Sequence, residues 1–359
     1  MKVFNFNAGP ATLPASVMER AQKEFCDYKG SGCGIMEHSH RHKLFDEILE
    51  HANSNIRTIM NVPESHAIVY IQGGASMQFA MIPMNLAIPG KVMQFADTGT
   101  WSSKALKDAK LFGECEVIAS SKEDKYTYIP DPASMKPSAD AAYFHITSNN
   151  TIYGTQYQSF PESPCPMIAD MSSDIMSRQV DVSKFGMIYA GAQKNLGPSG
   201  LALVIMRKDL AERTPANVPT MLRYPTYIDS NSLHNTPPTF GIYMLSLVTD
   251  WVLEQGGLAA VEEINNKKAA ALYAGIDASD GYYFSPVQKD SRSKMNVVFR
   301  LPSEELEAQF VKEATAAGMI GLKGHRSAGG IRASIYNAMP MEGVEKLVAF
   351  MAEFEKANK

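Results

Sequence analysis

The chain has 359 residues, with 34 Lys and Arg against 38 Asp and Glu for a formal net charge of −4. Apolar residues make up 45% and charged residues 20%, the balance of a folded globular chain, which excludes wholesale disorder. The pI near 6.1 supplies neither the basic face of a dedicated nucleic-acid binder nor a polybasic membrane patch.

In chain order, residues 1–15, with Pro10 and Pro14, read as an arm rather than a strand of the sheet. They hold no apolar core of signal-peptide length, so a cytoplasmic protein is expected. Cys26, Cys33, Cys115 and Cys165 are widely spaced and form no C-x-x-C pair, which fits reduced thiols better than a disulfide scaffold or a zinc ribbon. From residue 65 to 206, short apolar runs alternate with polar or helical stretches. The runs are 67–71, 92–96, 117–119, 142–146, 167–169, 187–190 and 201–206. Runs this short, bounded by turn residues, read as strands buried on both faces. Several are separated by enough chain for a crossover helix, such as residues 102–112, and this pattern predicts an α/β domain with a mostly parallel sheet. Only Gly191 to Gly200 separates the last two runs, so the final strand should turn back antiparallel.

A helical stretch follows over residues 240–273, with a break expected at Gly256-Gly257. Residues 295–300 then read as a strand. Residues 303–317 read as a helix capped by Ser303 and stopped by Gly318, and 341–357 as a terminal amphipathic helix. The chain is therefore divided into an arm (1–15), a large domain (16–255) and a small C-terminal domain (256–359). None of the runs is long enough to cross a bilayer.

Three features at the ends of apolar runs carry chemistry. The first is Gln72-Gly73-Gly74-Ala75-Ser76, between a strand and a helix. Small residues admit an anion to backbone N–H groups, and the helix N-terminus adds partial positive charge. It lacks the Lys of a P-loop and the third Gly of a dinucleotide fingerprint. The second is Asp170, which ends a strand where α/β sheets bind ligands and could hold a cationic ring nitrogen. The third is Lys194, in Ala192-Gln193-Lys194-Asn195-Leu196-Gly197-Pro198-Ser199-Gly200. A desolvated lysine has its neutral amine favoured, which suits condensation with an aldehyde. Taken singly, these read as an ordinary turn, a cap and a solvated side chain. Taken together, with Asp170 and Lys194 separated by 24 positions, they are the parts of a pyridoxal phosphate site. Trp101 follows another strand and could stack on the ring. Thr151, in a polar loop, could reach the ring oxygen.

The segments Phe4-Asn5-Phe6-Asn7-Ala8-Gly9-Pro10, Ser39-His40-Arg41, Gly73 to Phe79, Ser148 to Thr151, Ala169 to Ser173, Ala192 to Asn195, Asn235 to Phe240, Gly324 to Ser327 and Ile331 to Asn337 run nearly end to end. On these residues the sequence resembles the phosphoserine aminotransferase family, in the class V group of fold-type I enzymes. The resemblance implies a large domain with a mostly parallel seven-stranded sheet and a smaller α/β domain. It implies transfer of an amino group from L-glutamate to 3-phosphohydroxypyruvate on pyridoxal 5'-phosphate, with 4-phosphohydroxythreonine as a further substrate to test. Lys194 would bond the cofactor, Asp170 pair with its ring nitrogen and Trp101 stack on the ring. Ala75, Ser76, Thr151 and Gln193 would help bind it. Some family members have Gly-Arg where this chain has Ala75-Ser76, which leaves cofactor affinity open. Asn235 and Thr236 would reach the cofactor of a second subunit, implying a homodimer.

On the substrate side, Arg332 is the candidate for the α-carboxylate, because a guanidinium binds it bidentately. His40, Arg41, His325 and Arg326 are candidates for the distal phosphate or the glutamate side-chain carboxylate. An aminotransferase for alanine and glyoxylate is disfavoured by these extra cations, and a cysteine desulfurase by the lack of an obvious catalytic Cys loop. A rival from another class is a metallohydrolase built on His38, His40 and His42, which would share a face of an extended strand. No second ligand cluster of convincing spacing accompanies it, so no metal is expected.

Overall fold

The computed structural model describes residues 2–359. The seven runs form seven strands of one sheet: β1 (His66–Gln72), β2 (Met93–Asp97), β3 (Cys115–Ser120), β4 (Tyr143–Thr147), β5 (Met167–Asp170), β6 (Met187–Gly191) and β7 (Leu201–Arg207). Their order across the sheet is β1-β7-β6-β5-β4-β2-β3. All neighbours are parallel except β7, which runs antiparallel to both β1 and β6, with Leu201 opposite Gln72 and Ala202 opposite Gly191. The short Gly191–Gly200 connection enforces that reversal, since it leaves no length for a crossover.

Alternate residues of the strands feed two apolar layers, as the two-residue period requires. On one face Tyr70, Phe144, Ile146, Ala169, Ile188 and Leu203 pack with the Lys43–Met60 and Thr239–Glu254 helices. On the other, Ile71, Phe95, Tyr143, Ile168, Tyr189 and Val204 pack with the Gly74–Leu86 and Thr100–Ala109 helices. Double coverage explains why most strands read as unbroken apolar runs. The exception is β3. The sequence reading makes it buried on both faces, yet Val117 is exposed: β3 is an edge strand, and Val117 joins neither of the apolar layers that bury the other edge strand, β1.

A separate core holds Leu272, Phe299, Phe310, Leu347 and Phe354, together with Phe4 and Phe6 from the arm. Phe4–Asn5 pairs in parallel with Met319–Ile320, far from the large sheet. The helical stretch breaks as expected at Gly256-Gly257, both in the left-handed region, between helices Thr239–Glu254 and Gly257–Asp277. Ser303 caps the Glu304–Ala316 helix by accepting from Leu306 N at 3.3 Å. The predicted 102–112 helix begins at Thr100 instead. Ser102 Oγ accepts from the Thr98 and Gly99 N–H groups and donates to Asp97 Oδ1, all at 3.0 Å, which pulls the first turn back toward β2. Among the described residues no helix is long and apolar enough to cross a membrane.

Candidate active site

Parallel strands bring their C-terminal ends to one side of a sheet, where the loops leave a crevice. Here the segments following β1, β2, β4 and β6, and the end of β5, line one cavity of about 380 Å³. They contribute Ala75 and Ser76, Trp101, Thr151, Gln193 and Lys194, and Asp170 respectively. His325 and Arg332 enter from the C-terminal part, and Ala8 and Gly9 from the arm.

Lys194 lies at the centre and is only 9% exposed. Its Nζ donates to Thr151 Oγ1 at 2.8 Å. Burial pushes its pKa down to about 8; Arg332 pushes the same way, and the Asp170 carboxylate opposes both. Gly9 passes so close that a Cβ there would sit 3.4 Å from Lys194 Cγ, and its φ of +141° favours glycine as well. Asp170 ends β5 with Oδ1 accepting from Ser172 N at 2.9 Å and from Ser172 Oγ at 2.5 Å. Burial pushes its carboxyl up, while the Ser172 hydroxyl and the Lys194 charge pull it back.

The Gly74–Leu86 helix points its N-terminus into the cavity, entered through Gly73 at φ +93° and Gly74 at φ +64°. Its first-turn N–H groups have no partner within the helix, so they are free for an anion. The turn carrying Lys194 packs against this cradle. A Cβ on Gly191 would meet Gln193 Oε1 at 2.7 Å and Ala75 N at 3.4 Å. Trp101 sits in the first turn of its helix with its indole nitrogen buried and unpartnered. Lys194 Nζ lies 6.0 Å from the Trp101 ring centroid.

The positive charge is concentrated at the far wall. Arg332 Nη1 donates to the Thr151 carbonyl at 3.4 Å, its Nε is buried without a partner, and it makes no ion pair among the described residues. Burial lowers its pKa. His325 is lowered too, first by burial and then by the charges of Arg332, Arg326 and Lys104. Cations gathered without a carboxylate await an anion.

The single chain does not bring every predicted residue to this cavity. Arg326 is exposed beside it; His40, half-buried, and Arg41, exposed, lie in the loop before the Lys43–Met60 helix. Asn235 and Thr236 also lie outside the lining, and Asn235 Nδ2 only reaches the Thr236 carbonyl at 3.2 Å. The extended strand required for a three-histidine metal site is not formed. Ile35–Glu37 is a single 3₁₀ turn, and His42 caps the following helix through its Nδ1. Among the described residues no three His, Cys, Asp or Glu side chains converge. The sequence reading gave no role to Ala8, Gly9, Asn149 or Ser172, all of which line the cavity. Only the Asp-x-Ser spacing of Asp170 and Ser172, typical of a side chain bonding its own backbone two residues on, offered a local signal.

Residues 3–347 match the family aminotransferase class V. The chain belongs to the class V aminotransferases. A relative named phosphoserine aminotransferase, from Geobacillus kaustophilus, is 56% identical over 355 residues, 99% of each chain. The phosphoserine aminotransferase structure from Bacillus circulans subsp. alkalophilus superimposes with a TM-score of 0.98 at 51% identity, covering 100% of this chain and 99% of that one. A pyridoxal phosphate-bound phosphoserine aminotransferase from Trichomonas vaginalis has a TM-score of 0.93 at 38% identity, covering 98% and 100%. Curated relatives at 51–56% identity share the name phosphoserine aminotransferase, whereas structures of aspartate and alanine–glyoxylate aminotransferases share the fold at only 15–16% identity. The cavity of this chain unites an amine near neutrality, a buried carboxylate, an anion cradle and a cationic wall.

Proposed function

We propose that this chain is a phosphoserine aminotransferase, moving the amino group of L-glutamate to 3-phosphohydroxypyruvate to give O-phospho-L-serine and 2-oxoglutarate. The observation that carries the reading is Lys194: a buried amine with its pKa near 8, in one cavity with Asp170 and Arg332.

Pyridoxal 5'-phosphate fits the residues present. Trp101 Nε1, Gln193 Oε1 and Arg332 Nε are buried polar atoms without partners, as expected of a pocket lined for a polar guest. When bound, the group supplies an aldehyde carbon and a ring that takes up carbanion electrons. Ala75 and Ser76 would hold its phosphate through the helix N-terminus, and Trp101 would cover one ring face. Thr151, Gln193 and Asp170 would fix the ring oxygen and nitrogen, with Asp170 keeping the nitrogen protonated. Lys194 has the proton affinity to take a proton from a substrate α-carbon and return it two atoms along, the 1,3-shift that transamination needs. Arg332 would clamp the α-carboxylate, with His325 and Arg326 facing the phosphate or the distal carboxylate of glutamate.

A homodimer belongs to the same proposal. His40 Nε2 and Asn235 Oδ1 are buried yet unpartnered within one chain. This supports His40, Arg41, Asn235 and Thr236 completing the site of a second copy. To the proposal also belong a role in serine biosynthesis in the cytoplasm, use of 4-phosphohydroxythreonine toward pyridoxine, and a division near residue 256, which the two separate apolar cores support.

The test is the absorption spectrum of the protein with pyridoxal phosphate, before and after O-phosphoserine, with serine as control. Loss of the lysine–cofactor band with O-phosphoserine but not serine is expected. An equal response to serine discards the phosphorylated substrate, and no band at all discards the aminotransferase assignment.

A further inference from the structure

Behind Asp170 lies a buried polar pair that the functional reading does not use. Tyr189 on β6 is the direct cross-strand partner of Asp170 on β5. His145 on β4 is the partner of Ile168, two residues before Asp170, so all three side chains lie on one face of the sheet. His145 Nε2 is 2.9 Å from the Tyr189 hydroxyl. His145 is 1% exposed, Tyr189 0% and Asp170 5%. The surroundings are aromatic: Phe79 meets the Tyr189 ring edge-on at 6.5 Å, and Phe95 lies 5.3 Å from His145. The phenols of Tyr143 and Tyr224 also face Tyr189, and neither is ionised at working pH, because burial raises both.

The proton count in this pair can be worked out. Burial lowers the His145 pKa to about 3, so the imidazole is neutral and carries one ring proton. Its Nδ1 is buried with no partner. A proton on Nδ1 would be an unsatisfied N–H in the core, and it would turn the Tyr189 hydrogen toward Nε2. A proton on Nε2 avoids that cost. Nε2–H then donates to the Tyr189 oxygen, which leaves the Tyr189 O–H free to turn toward the carboxylate of its cross-strand neighbour Asp170. The two directions add, because a hydroxyl that accepts one hydrogen bond is a better donor in the next.

We propose that Tyr189, braced from behind by His145, is a positioning residue that keeps the Asp170 carboxylate ionised and aimed into the cavity. Ser172 already occupies Oδ1. The Tyr189 hydroxyl steadies the same carboxylate from the sheet interior, where water does not reach. The inference rests on the proposed role of Asp170 opposite the ring nitrogen of pyridoxal phosphate.

The test is a double-mutant cycle on the holoenzyme, with Tyr189→Phe, Asp170→Asn and the double variant, reading the dissociation constant for pyridoxal phosphate and kcat. Tyr189→Phe removes one oxygen and keeps the ring against Phe79. It should weaken cofactor binding about tenfold and lower kcat by a similar factor, leaving KM for glutamate within about twofold. On the Asp170→Asn background it should add almost nothing. His145→Leu should repeat the Tyr189→Phe effects at smaller size, and ¹⁵N shifts of His145 should report one neutral Nε2–H tautomer from pH 5 to 8. Additive effects in the cycle overturn the inference while leaving the aminotransferase reading intact. A wild-type protein that binds no pyridoxal phosphate overturns both.

Discussion

Lys194 is tuned for its chemistry before any cofactor arrives. Only a neutral amine attacks an aldehyde, so capture of pyridoxal phosphate by the cofactor-free protein should follow the neutral fraction of Lys194. The structure sets that fraction. Burial and Arg332 bring the pKa from 10.5 to about 8, a difference of 2.5 units. Near pH 7 this gives about 300 times more neutral amine than an ordinary lysine holds. The capture rate should therefore rise about tenfold per pH unit up to roughly pH 8 and then level off. Two substitutions should move the midpoint in opposite directions. Arg332→Leu removes a repulsive charge and should raise it; Asp170→Asn removes an attractive charge and should lower it. Asp170→Asn should thus capture the cofactor faster at pH 7 even though it holds it less well. The assay is stopped-flow growth of the lysine–cofactor band from pH 6 to 10, divided by the rate of N-acetyl-lysine ethyl ester per neutral amine, which cancels titration of the aldehyde alone. A rate that climbs steadily to pH 10, or two variants that shift the same way, would refute the electrostatic account of this lysine.

Four further outcomes are expected. Lys194→Ala should show no cofactor band and no measurable turnover, while circular dichroism and the melting temperature stay near wild type, since the side chain holds only one hydrogen bond. Arg332→Lys should raise KM for both substrates about thirtyfold, roughly 2 kcal/mol, because a point charge replaces a bidentate fork; steady-state kinetics at fixed pH reads it. Gly324→Ala places a Cβ 2.0 Å from the Gly329 carbonyl oxygen and must displace the loop carrying His325, so KM for the phosphorylated substrate should rise more than KM for glutamate. His145 is neutral in the fold down to about pH 3, whereas the unfolded side chain binds a proton below 6.5. The unfolded state therefore gains protons first as pH falls, and stability is lost, by about 2 kcal/mol between pH 6.5 and 5. Urea unfolding of His145→Leu should show a correspondingly shallower loss over that interval.

What the sequence made legible follows the range of the forces involved. Strands buried on both faces announce themselves as apolar runs, so all seven sheet strands were readable, and the short stretch from Gly191 to Gly200 betrayed the reversal of β7. The exposure of Val117 was not readable, since which strand face an apolar layer leaves uncovered is a property of the assembled sheet rather than of the strand. Lys194 and Asp170 stood out because each interrupts the end of such a run with a charge that has to be explained. Tyr189 and His145 did not. Inside β6 and β4 they look like further residues of an apolar run, and only the register that sets Asp170 beside Tyr189 turns them toward the site. Ala8 and Gly9 were equally silent about their place, because the arm meets Lys194 only after the chain has folded around the sheet.

His40, Arg41, Asn235 and Thr236 mark a different boundary. Their residue types suit an anion site, yet one folded chain leaves them outside its own cavity, with His40 Nε2 and Asn235 Oδ1 buried and unpaired. A buried polar atom without a partner costs about 1–3 kcal/mol, which argues that these groups find partners beyond the single chain. Arg332 shows the same logic inside the cavity: its Nε is buried and unpaired where a substrate carboxylate is proposed to bind. Arg332 Nε could thus be satisfied by a small anion in the cavity, whereas His40 Nε2 and Asn235 Oδ1 would be reached by the proposed second subunit. The proposed dimer would thus satisfy polar atoms that the single chain leaves without partners.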